Sequence, residues 1–467
     1  DQMRSSEPYN VLSHYIRIKI FTEHGRDSQS TIDLSTVGRA NIHDLSGRTI
    51  LPGGRIVPLE KSSVFQRDVV KARGLRAKTW SFSMPSVEVG SVIEYQWREF
   101  RDDRIAMYLA LEVQKDIPVW HVRYSVKPLS IPGLNLNMRS QVFQLEGLGW
   151  KPVGNGFHTA EFRDIPAFRE EPDMPPEDQV KRWILLYYVL DNETNVEKIW
   201  EKIGRDYHRR YEQRMKPDKE IKRIALQLSE QASDPAGKLA AIYKFCRDEI
   251  KNIQHRNSNL SPADLEKYKP NLKPSDTLKK RVGTGPDINL LFMAMATAAG
   301  FEAYPALLPN RNKIFFHPNF GNEYFLDHLH SAVRVGDGYI YYDPSDPYLD
   351  AGALRWQHEA VMALIANPKK PEFAMTPLSP PEKNRTRQKA QFELKEDGSI
   401  EGEIEVSYEG HEAYLRRSFF SEETEEDNKE QLQKSIRNRF STAQVLRGSA
   451  APQGSGYNYS YGGKIPG

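Results

Sequence analysis

Two histidines and several carboxylates stand close together in the sequence, in a pattern that could support metal binding or acid–base chemistry. His328 and His330 are separated by one residue, so on a strand their side chains would project from the same side. With Asp343, Asp346 or His317 they offer ligands for a metal ion, whose bound water could serve a hydrolase. The additional ligands lack a diagnostic metal-site spacing. We therefore predict no metal and no cofactor.

A glycine-containing turn, residues 283–286, precedes an apolar segment with the composition of a buried helix. The turn lacks the lysine and the leading glycine of nucleotide-binding loops, so it does not indicate a phosphate site. Gly285 and Pro286 instead suit a helix cap and the first helical residue. We expect the helix to begin at Pro286 or Asp287.

Together these stretches resemble the core of bacterial transglutaminase-like proteins. Residues 279–287 are similar to the basic turn and Gly-x-Cys-x-Asp of that family, and residues 299–303 to the Ala-Gly-x-x-Ala that ends its helix. His328 corresponds to the histidine that starts a strand, and residues 343–345 to the family's Asp-Pro-Thr or Asp-Pro-Ser. A β-rich domain of unknown function commonly precedes such cores, and residues 51–129 resemble it.

The resemblance implies a degenerate active site. The family's nucleophile is a cysteine at a helix N-terminus, where exposed N–H groups and the helix dipole favour the thiolate. Gly285 occupies that position here. His328 would be the general base and Asp343 the carboxylate that orients it, with Asp287 and His330 assigned to binding. The implied protein has lost acyl-transfer and cysteine-protease chemistry.

The single cysteine of the chain, Cys246, is not a substitute nucleophile. It lies on the apolar stripe of a helix predicted at residues 235–251, for which Asp234 is the cap and Pro235 the first residue. A thiol on such a stripe is expected to be buried, and buried thiols are inert.

The elements that position these residues are predicted to form a multidomain, mainly β protein with an α+β core. Period-two alternation between residues 15 and 129 predicts an N-terminal antiparallel β-sandwich, assigned to residues 1–170 and followed by an acidic, proline-rich linker. Residues 180–371 are assigned to a transglutaminase-like, papain-like α+β core. Residues 385–467 are assigned to a C-terminal β-rich domain that the chain contains in part.

Individual elements of the last two domains are also predicted. Helices are expected near residues 196–215, 219–231, 235–251 and 287–299, with strands at 303–308, 330–335 and 339–342. In the C-terminal domain, Asp397-Gly398-Ser399 predicts a hairpin and residues 421–439 an acidic helix. The tail from Gly454 is expected to lack periodic structure.

Composition narrows the possible partners and locations. The 65 Lys and Arg residues nearly balance the 63 Asp and Glu residues, which leaves no overall field to attract polyanions and argues against nucleic acid. No apolar run is long enough to span a membrane, and no signal peptide is recognised. A single cysteine in 467 residues fits an exported protein, and the family resemblance also implies a periplasmic or secreted one.

The sequence therefore predicts a binding or scaffolding module whose ligand is a peptide, a protein or a cell-envelope polymer. The alternative is an active hydrolase or amidase that uses His328 and Asp343 with water or a metal.

Overall fold

The computed structural model describes most of the chain. The described residues are 2–4, 7–37, 40–72, 75–101, 107–131, 133–147, 149–190, 193–255, 260–261, 268–420, 425–439 and 441–466. The protein is mainly β, with several sheets. It divides into two compact units: unit 1 comprises residues 1–174, 180–192 and 261–268, and unit 2 comprises residues 175–179, 193–260 and 269–467.

The first part of unit 1 is a pair of antiparallel sheets with the strand orders β1-β2-β8-β4-β5 and β3-β7-β6. Ile20, Phe82, Met84, Ile93 and Tyr95 form a shared core between the sheets, as expected when one side of each alternating strand is apolar. The elements are β1 Gln2–Arg4, β2 Glu7–Lys19, α1 Glu23–Gln29, β3 Thr31–Val37, β4 Asn41–Ile50, β5 Ile56–Pro58, β6 Val64–Ala72, β7 Leu75–Ser83 and β8 Val92–Arg101.

The second part of unit 1 contains two three-stranded sheets with the orders β10-β13-β12 and β11-β14-β9. Its elements are β9 Tyr108–Glu112, β10 Val119–Val126, β11 Asn137–Phe143, β12 Lys151–Gly154, β13 Phe157–Ile165 and β14 Trp183–Val189. The short helix α2 Glu177–Val180 precedes β14, and most of its residues belong to unit 2. Strand β14 lies beyond the predicted boundary of the N-terminal domain, yet it is the central strand of its sheet. Its sequence is continuously apolar because it is covered on both sides, so it lacks the alternation that predicted the other strands.

Unit 2 begins with several helices, one of which is buried. They are α3 Val196–Glu212, α4 Lys219–Ser229, α5 Pro235–Glu249, α6 Pro274–Lys280 and α7 Gly285–Ala298. Helix α7 packs against α4, α5 and α6, and its residues 287–296 are all buried. Cys246 lies in the same core with no exposed surface, and this burial raises the pKa of its thiol. The thiol is therefore buried as predicted.

A five-stranded sheet with the order β19-β18-β17-β20-β21 packs beside α7. Its strands are β17 Ala303–Leu308, β18 His328–Val335, β19 Gly338–Tyr342, β20 Met362–Ile365 and β21 Glu372–Met375, and a separate parallel pair consists of β15 Lys251–Asn252 and β16 Val282–Gly283. Val333 and Tyr342 pack in the α7 core, whereas Ala332 and Tyr341 belong to the cluster that contains Leu354. Successive residues of β18 and β19 thus face opposite sides of the sheet.

The end of the chain forms a four-stranded antiparallel sheet with the order β22-β23-β25-β24. Its elements are β22 Thr386–Leu394, β23 Ile400–Tyr408, α8 His411–Phe420, α9 Glu425–Arg439, β24 Gln444–Gln453 and β25 Gly456–Ile465. The expectation of an aperiodic tail is wrong, because Tyr457, Tyr459 and Tyr461 alternate with small and polar residues along β25. Helix α8 was not predicted. The proposed start of the acidic helix, residues 421–424, lies outside the described residues.

No helix among the described residues is both long enough and apolar enough to cross a membrane.

Candidate functional site

Helix α7 begins at Gly285, one residue earlier than expected, with Thr284 as its N-cap. The Thr284 hydroxyl accepts from the Asp287 backbone N–H at 3.4 Å, and the Asp287 carboxylate accepts from the Thr284 backbone N–H at 3.0 Å. This reciprocal capping box, with Pro286 in the first turn, defines the start of the helix.

Asp287 was predicted to contribute to binding, and its carboxylate is engaged within the protein. One oxygen accepts from the backbone and hydroxyl of Thr284, and the other forms an ion pair with Arg214. Asp287 is 4% exposed. These contacts give it a structural role at the helix start, and its role in binding stays a prediction.

Gly285 lies between two polar side chains. Its backbone N–H donates to Gln254 Oε1 at 3.0 Å. A Cβ atom built on Gly285 would lie 3.2 Å from Ser345 Oγ and 3.4 Å from Gln254 Oε1. The parallel ladder of β15 and β16 pairs Asn252 with Gly283 and thereby brings Gln254 beside Gly285. A side chain at position 285 would therefore contact the hydroxyl of Ser345 and the amide of Gln254.

Asp343 is the centre of a buried polar network. Its Oδ1 accepts from Asn289 Nδ2 at 3.0 Å and from Ser345 Oγ at 2.5 Å, and the Ser345 backbone N–H lies at 3.3 Å. Asn252 Nδ2 donates to the Ser345 carbonyl at 2.9 Å. Asn289 is four residues after Gly285 on α7, so the network connects the first turns of that helix to the loop that follows β19.

His330 is the histidine that lies next to Asp343. Its Nε2 is 3.9 Å from Asp343 Oδ2, and its side chain is almost fully buried. Burial lowers the pKa of His330 to about 4, with a further lowering by the charge of Arg355. Burial alone would raise the pKa of Asp343, but the nearby His330, Arg355 and the hydrogen bonds from Ser345 and Asn289 lower it overall. At neutral pH the pair is a neutral imidazole and an ionised carboxylate.

His328 has a different carboxylate partner. Its Nδ1 lies 2.6 Å from Asp327 Oδ1, and both side chains are about one-third exposed. Asp327 also pairs with Lys313 at 2.9 Å. Burial would raise the pKa of Asp327, but its hydrogen bonds with His328 and Lys313 lower it. Between His328 and Asp343, both of which the structure describes, there is no hydrogen bond.

A third histidine, His358, joins the other two. Its ring centroid lies 4.4 Å from that of His328 and 4.8 Å from that of His330. It is 1% exposed, and neither ring nitrogen has a hydrogen-bond partner among the described residues. Burial, followed by the charges of its neighbours, lowers the pKa of His358 far below its ordinary value. The part of the chain that the structure describes contains no group of three or more His, Cys, Asp or Glu side chains arranged to hold a metal ion.

The structure thus brings Gly285 close to Ser345 and, through Asn289, to Asp343, and it pairs His328 with Asp327. The functional roles of Gly285, His328 and Asp343 stay predictions. Sequence analysis assigned no role to five residues with direct contacts here: Gln254, Asn289, Asp327, Ser345 and His358. Two signals were available: Asp327 adjoins His328, and Asn289 is one helical turn beyond Gly285 on the predicted helix.

Comparisons with known proteins agree with the coarse layout. Residues 11–169 match a domain of unknown function with a solved structure, DUF3857. The fold is similar to that of a candidate protease from Parabacteroides distasonis, with a TM-score of 0.52 and 12% identity over 98% of this chain and 90% of that chain. A candidate cysteine protease from Cytophaga hutchinsonii gives a TM-score of 0.20 and 10% identity over 72% and 76% of the two chains. No curated protein matches the sequence.

The match at residues 11–169 covers about a third of the chain, and the predicted role of a β-rich domain before the core stays a prediction. At 12% identity the first structural comparison concerns the fold alone. The overall fold is therefore one that a candidate protease also adopts.

Proposed function

We propose that this chain is a transglutaminase-like protein without acyl-transfer activity that binds a peptide, or a protein segment bearing an amide side chain, beside the start of α7. Gly285 is the observation that carries the proposal. It occupies the first position of a buried, capped helix, where the nucleophile of an acyl-transfer enzyme would stand, and it has no side chain to attack a carbonyl.

The polar groups around Gly285 support a binding role. Gln254 is exposed, and an amide side chain can both donate to and accept from the amide of a peptide. Its Oε1 accepts the Gly285 N–H, which is the backbone donor that a nucleophile at this position would offer to an oxyanion. The arrangement favours reversible hydrogen bonding over stabilisation of a tetrahedral intermediate.

The buried network supports the same proposal, because it holds the residues around Gly285 in place without a nucleophile. Asp343 holds Ser345, and Ser345 in turn borders the side-chain position of Gly285. Buried polar groups are costly to leave without partners, so Asn289 and Ser345 stay fixed on Asp343 beside the start of α7.

The experiment uses an N-acylated Gln-Gly dipeptide as the probe. Isothermal titration calorimetry should detect binding to the unchanged protein, and hydroxamate formation with hydroxylamine should stay at the level of the buffer. Gln254→Ala should weaken binding about fivefold to tenfold, the cost of one or two hydrogen bonds. Gln227→Ala is the matched control, because this glutamine is exposed on α4 and has no hydrogen bond to Gly285 among the described residues.

Gly285→Cys and Gly285→Ala add the same Cβ, so their difference isolates the thiol. Turnover by the cysteine variant alone would indicate a cleft that still has catalytic geometry. Turnover by the unchanged protein that His328→Ala abolishes would overturn the proposal and favour a water- or metal-dependent hydrolase. Absence of binding to the unchanged protein would reject the amide-binding role.

A location outside the cytoplasm is part of the proposal. The near absence of cysteine and the family resemblance support it. Fractionation of the native host should recover the protein in the periplasmic or secreted fraction, and a cytoplasmic majority would contradict this location.

A further inference from the structure

Positive charge is concentrated in two segments of unit 2. Residues 209–223 contain seven Lys or Arg and three Asp or Glu, and residues 269–281 contain five Lys or Arg and one Asp. The two segments together carry a net charge of +8, whereas the whole chain carries +2. The rest of the protein is therefore acidic, and the overall balance conceals a strongly basic region.

Helix α4 presents part of this charge on one side. Ile221, Ala225 and Ser229 are its buried residues. Lys219 and Lys222 are exposed, and their spacing of three residues places them on the same side of the helix. The charge is therefore displayed to solvent on a rigid element.

Helix α6 extends the basic region, because it packs against α4. The pKa of Glu220 is lowered first by its hydrogen bond with Arg223 and also by the charge of Lys279, which indicates that the end of α6 lies beside α4. Lys279 is exposed, as is Lys273 at the N-cap of α6. We call Lys219, Lys222, Lys273 and Lys279 the lysine surface.

Four of the five arginines in these segments form ion pairs, whereas the lysine surface forms none with the described residues. Arg209, Arg214, Arg223 and Arg281 each form an ion pair with a carboxylate of this chain. No ion pair between described residues involves the lysine surface. The carboxylates next to it are engaged elsewhere: Glu220 pairs with Arg223, and Asp218 and Asp276 accept backbone N–H groups at the starts of α4 and α6. The lysine charges therefore remain available to a partner.

Two leucines add apolar area beside these charges. Leu272, which precedes Lys273, is 75% exposed, and Leu226 on α4 is 53% exposed. Leu226 is one helical turn beyond Lys222, so it shares that side of α4. Exposed leucines among lysines match a lipid interface, where apolar side chains enter the acyl boundary and ammonium groups meet dispersed headgroups. Recognition of carboxylates on a protein would instead favour the forked geometry of arginine.

We infer that the lysine surface, with Leu226 and Leu272, is a peripheral docking site for a membrane rich in anionic phospholipid. This role is independent of the amide-binding role proposed for the start of α7. Lysine charges near an anionic surface attract it additively, and the attraction is screened by salt.

The test is co-sedimentation of the full chain with vesicles of phosphatidylcholine, alone or mixed with phosphatidylglycerol. Binding is expected only to the mixed vesicles, and it should decline as salt is raised. Lys219→Gln/Lys222→Gln should lower the partition coefficient about 25-fold, fivefold for each lysine. Leu272→Ser should lower it about tenfold by removing the apolar contact. The matched controls are Lys369→Gln/Lys370→Gln and Leu378→Ser, exposed residues elsewhere in unit 2, which should bind like the unchanged protein.

Three outcomes would overturn the inference. The first is equal sedimentation with both kinds of vesicle. The second is full binding by the Lys219→Gln/Lys222→Gln variant while its far-ultraviolet circular dichroism is unchanged. The third is retention on immobilised poly-glutamate that depends on the same lysines and is insensitive to Leu272→Ser, together with no vesicle binding. That last result would make the surface a site for acidic protein.

Discussion

The first and third residues of β18, His328 and His330, each lie beside a carboxylate, and the two pairs differ in depth. His328 with Asp327 is about one-third exposed, whereas His330 with Asp343 is almost fully buried. The two histidines project from the same side of the strand and both contact His358. Within two residues, then, the chain passes from a pair that a ligand can reach to a pair enclosed by the protein.

This difference in exposure determines which pair can take part in chemistry. An exposed imidazole can exchange protons with a ligand or with water, and its position depends on one short contact with Asp327. The buried imidazole stays neutral because its pKa is about 4. Its carboxylate partner is occupied by Asn289 and Ser345 and so serves to hold the loop after β19. We expect mutations in the buried pair to act on stability and mutations in the exposed pair to act on ligand contacts.

The largest effect is predicted for Asp343→Ala. The variant should lose about 3 to 5 kcal/mol in the free energy of unfolding, because Ser345 and Asn289 would lose their shared acceptor inside the protein. Urea denaturation at pH 7 measures this directly. Asp343→Asn keeps one oxygen acceptor and should lose clearly less. A loss below about 1 kcal/mol for the alanine variant would show that the network does not hold the loop.

Acid should destabilise the buried pair. Folded His330 titrates near pH 4 and an unfolded histidine near 6.5, so below pH 6.5 the unfolded state binds a proton that the folded state does not. Stability should therefore fall by about 3 kcal/mol from this group between pH 6.5 and 4. His358 acts in the same direction. The groups that face His330 are Asp343, Asp346, Arg355 and His328. The lowered pKa of Asp343 stabilises the folded protein, and this contribution is lost only at lower pH, below the pKa of an unfolded aspartate.

His358→Phe separates the causes of this acid sensitivity. It removes one titrating ring and two nitrogens without hydrogen-bond partners among the described residues, so at pH 7 it should be nearly neutral or stabilising. Urea midpoints measured from pH 7 to pH 4 should fall less steeply than in the unchanged protein. Asp327→Asn should leave the slope in this range as it was. An unchanged slope in His358→Phe would assign the acid sensitivity to other groups.

The sequence was informative where local pattern decides structure. Apolar periodicity located α3, α4 and α5, and the glycine–proline pair located the start of α7 to within one residue. Strand β14 was missed because burial on both sides removes alternation. The partner of His328 was missed for another reason: whether a histidine pairs with Asp327 or Asp343 depends on strand register and on side-chain packing, which spacing along the chain does not encode.

Gly285→Ala tests how tightly position 285 is packed between the buried Ser345 and the exposed Gln254. The added methyl would lie 3.2 Å from Ser345 Oγ and 3.4 Å from Gln254 Oε1. Gln254 is exposed and can rotate away, but Ser345 is held by Asp343. We expect a destabilisation of about 1 kcal/mol or less, because the better helix propensity of alanine offsets part of the crowding. Thermal denaturation measures it, and a stabilised variant would show that Ser345 yields easily.

The smallest effect on stability is predicted for Asp327→Asn. The change removes an ion pair with Lys313 and weakens the contact with His328, both partly exposed, so the free energy of unfolding should change by about 0.5 kcal/mol or less.

The ring of His328 should nevertheless respond to Asp327→Asn. A carboxylate accepts only, so when the imidazole is neutral Asp327 requires the proton on Nδ1 and leaves Nε2 as the acceptor that faces a ligand. Asparagine can donate or accept and removes this requirement. Nitrogen-15 chemical shifts of the imidazole should therefore move from mainly Nδ1-protonated to a mixture of tautomers. Lys313→Gln is the control, because it removes the ion pair with Asp327 and keeps the Asp327 carboxylate. Asn322→Asp would be a poor control, because position 322 is buried. If Lys313→Gln shifted the tautomers as much as Asp327→Asn did, the orientation of His328 would depend on the charge around it, and the contact with Asp327 would not be what distinguishes the exposed pair from the buried one.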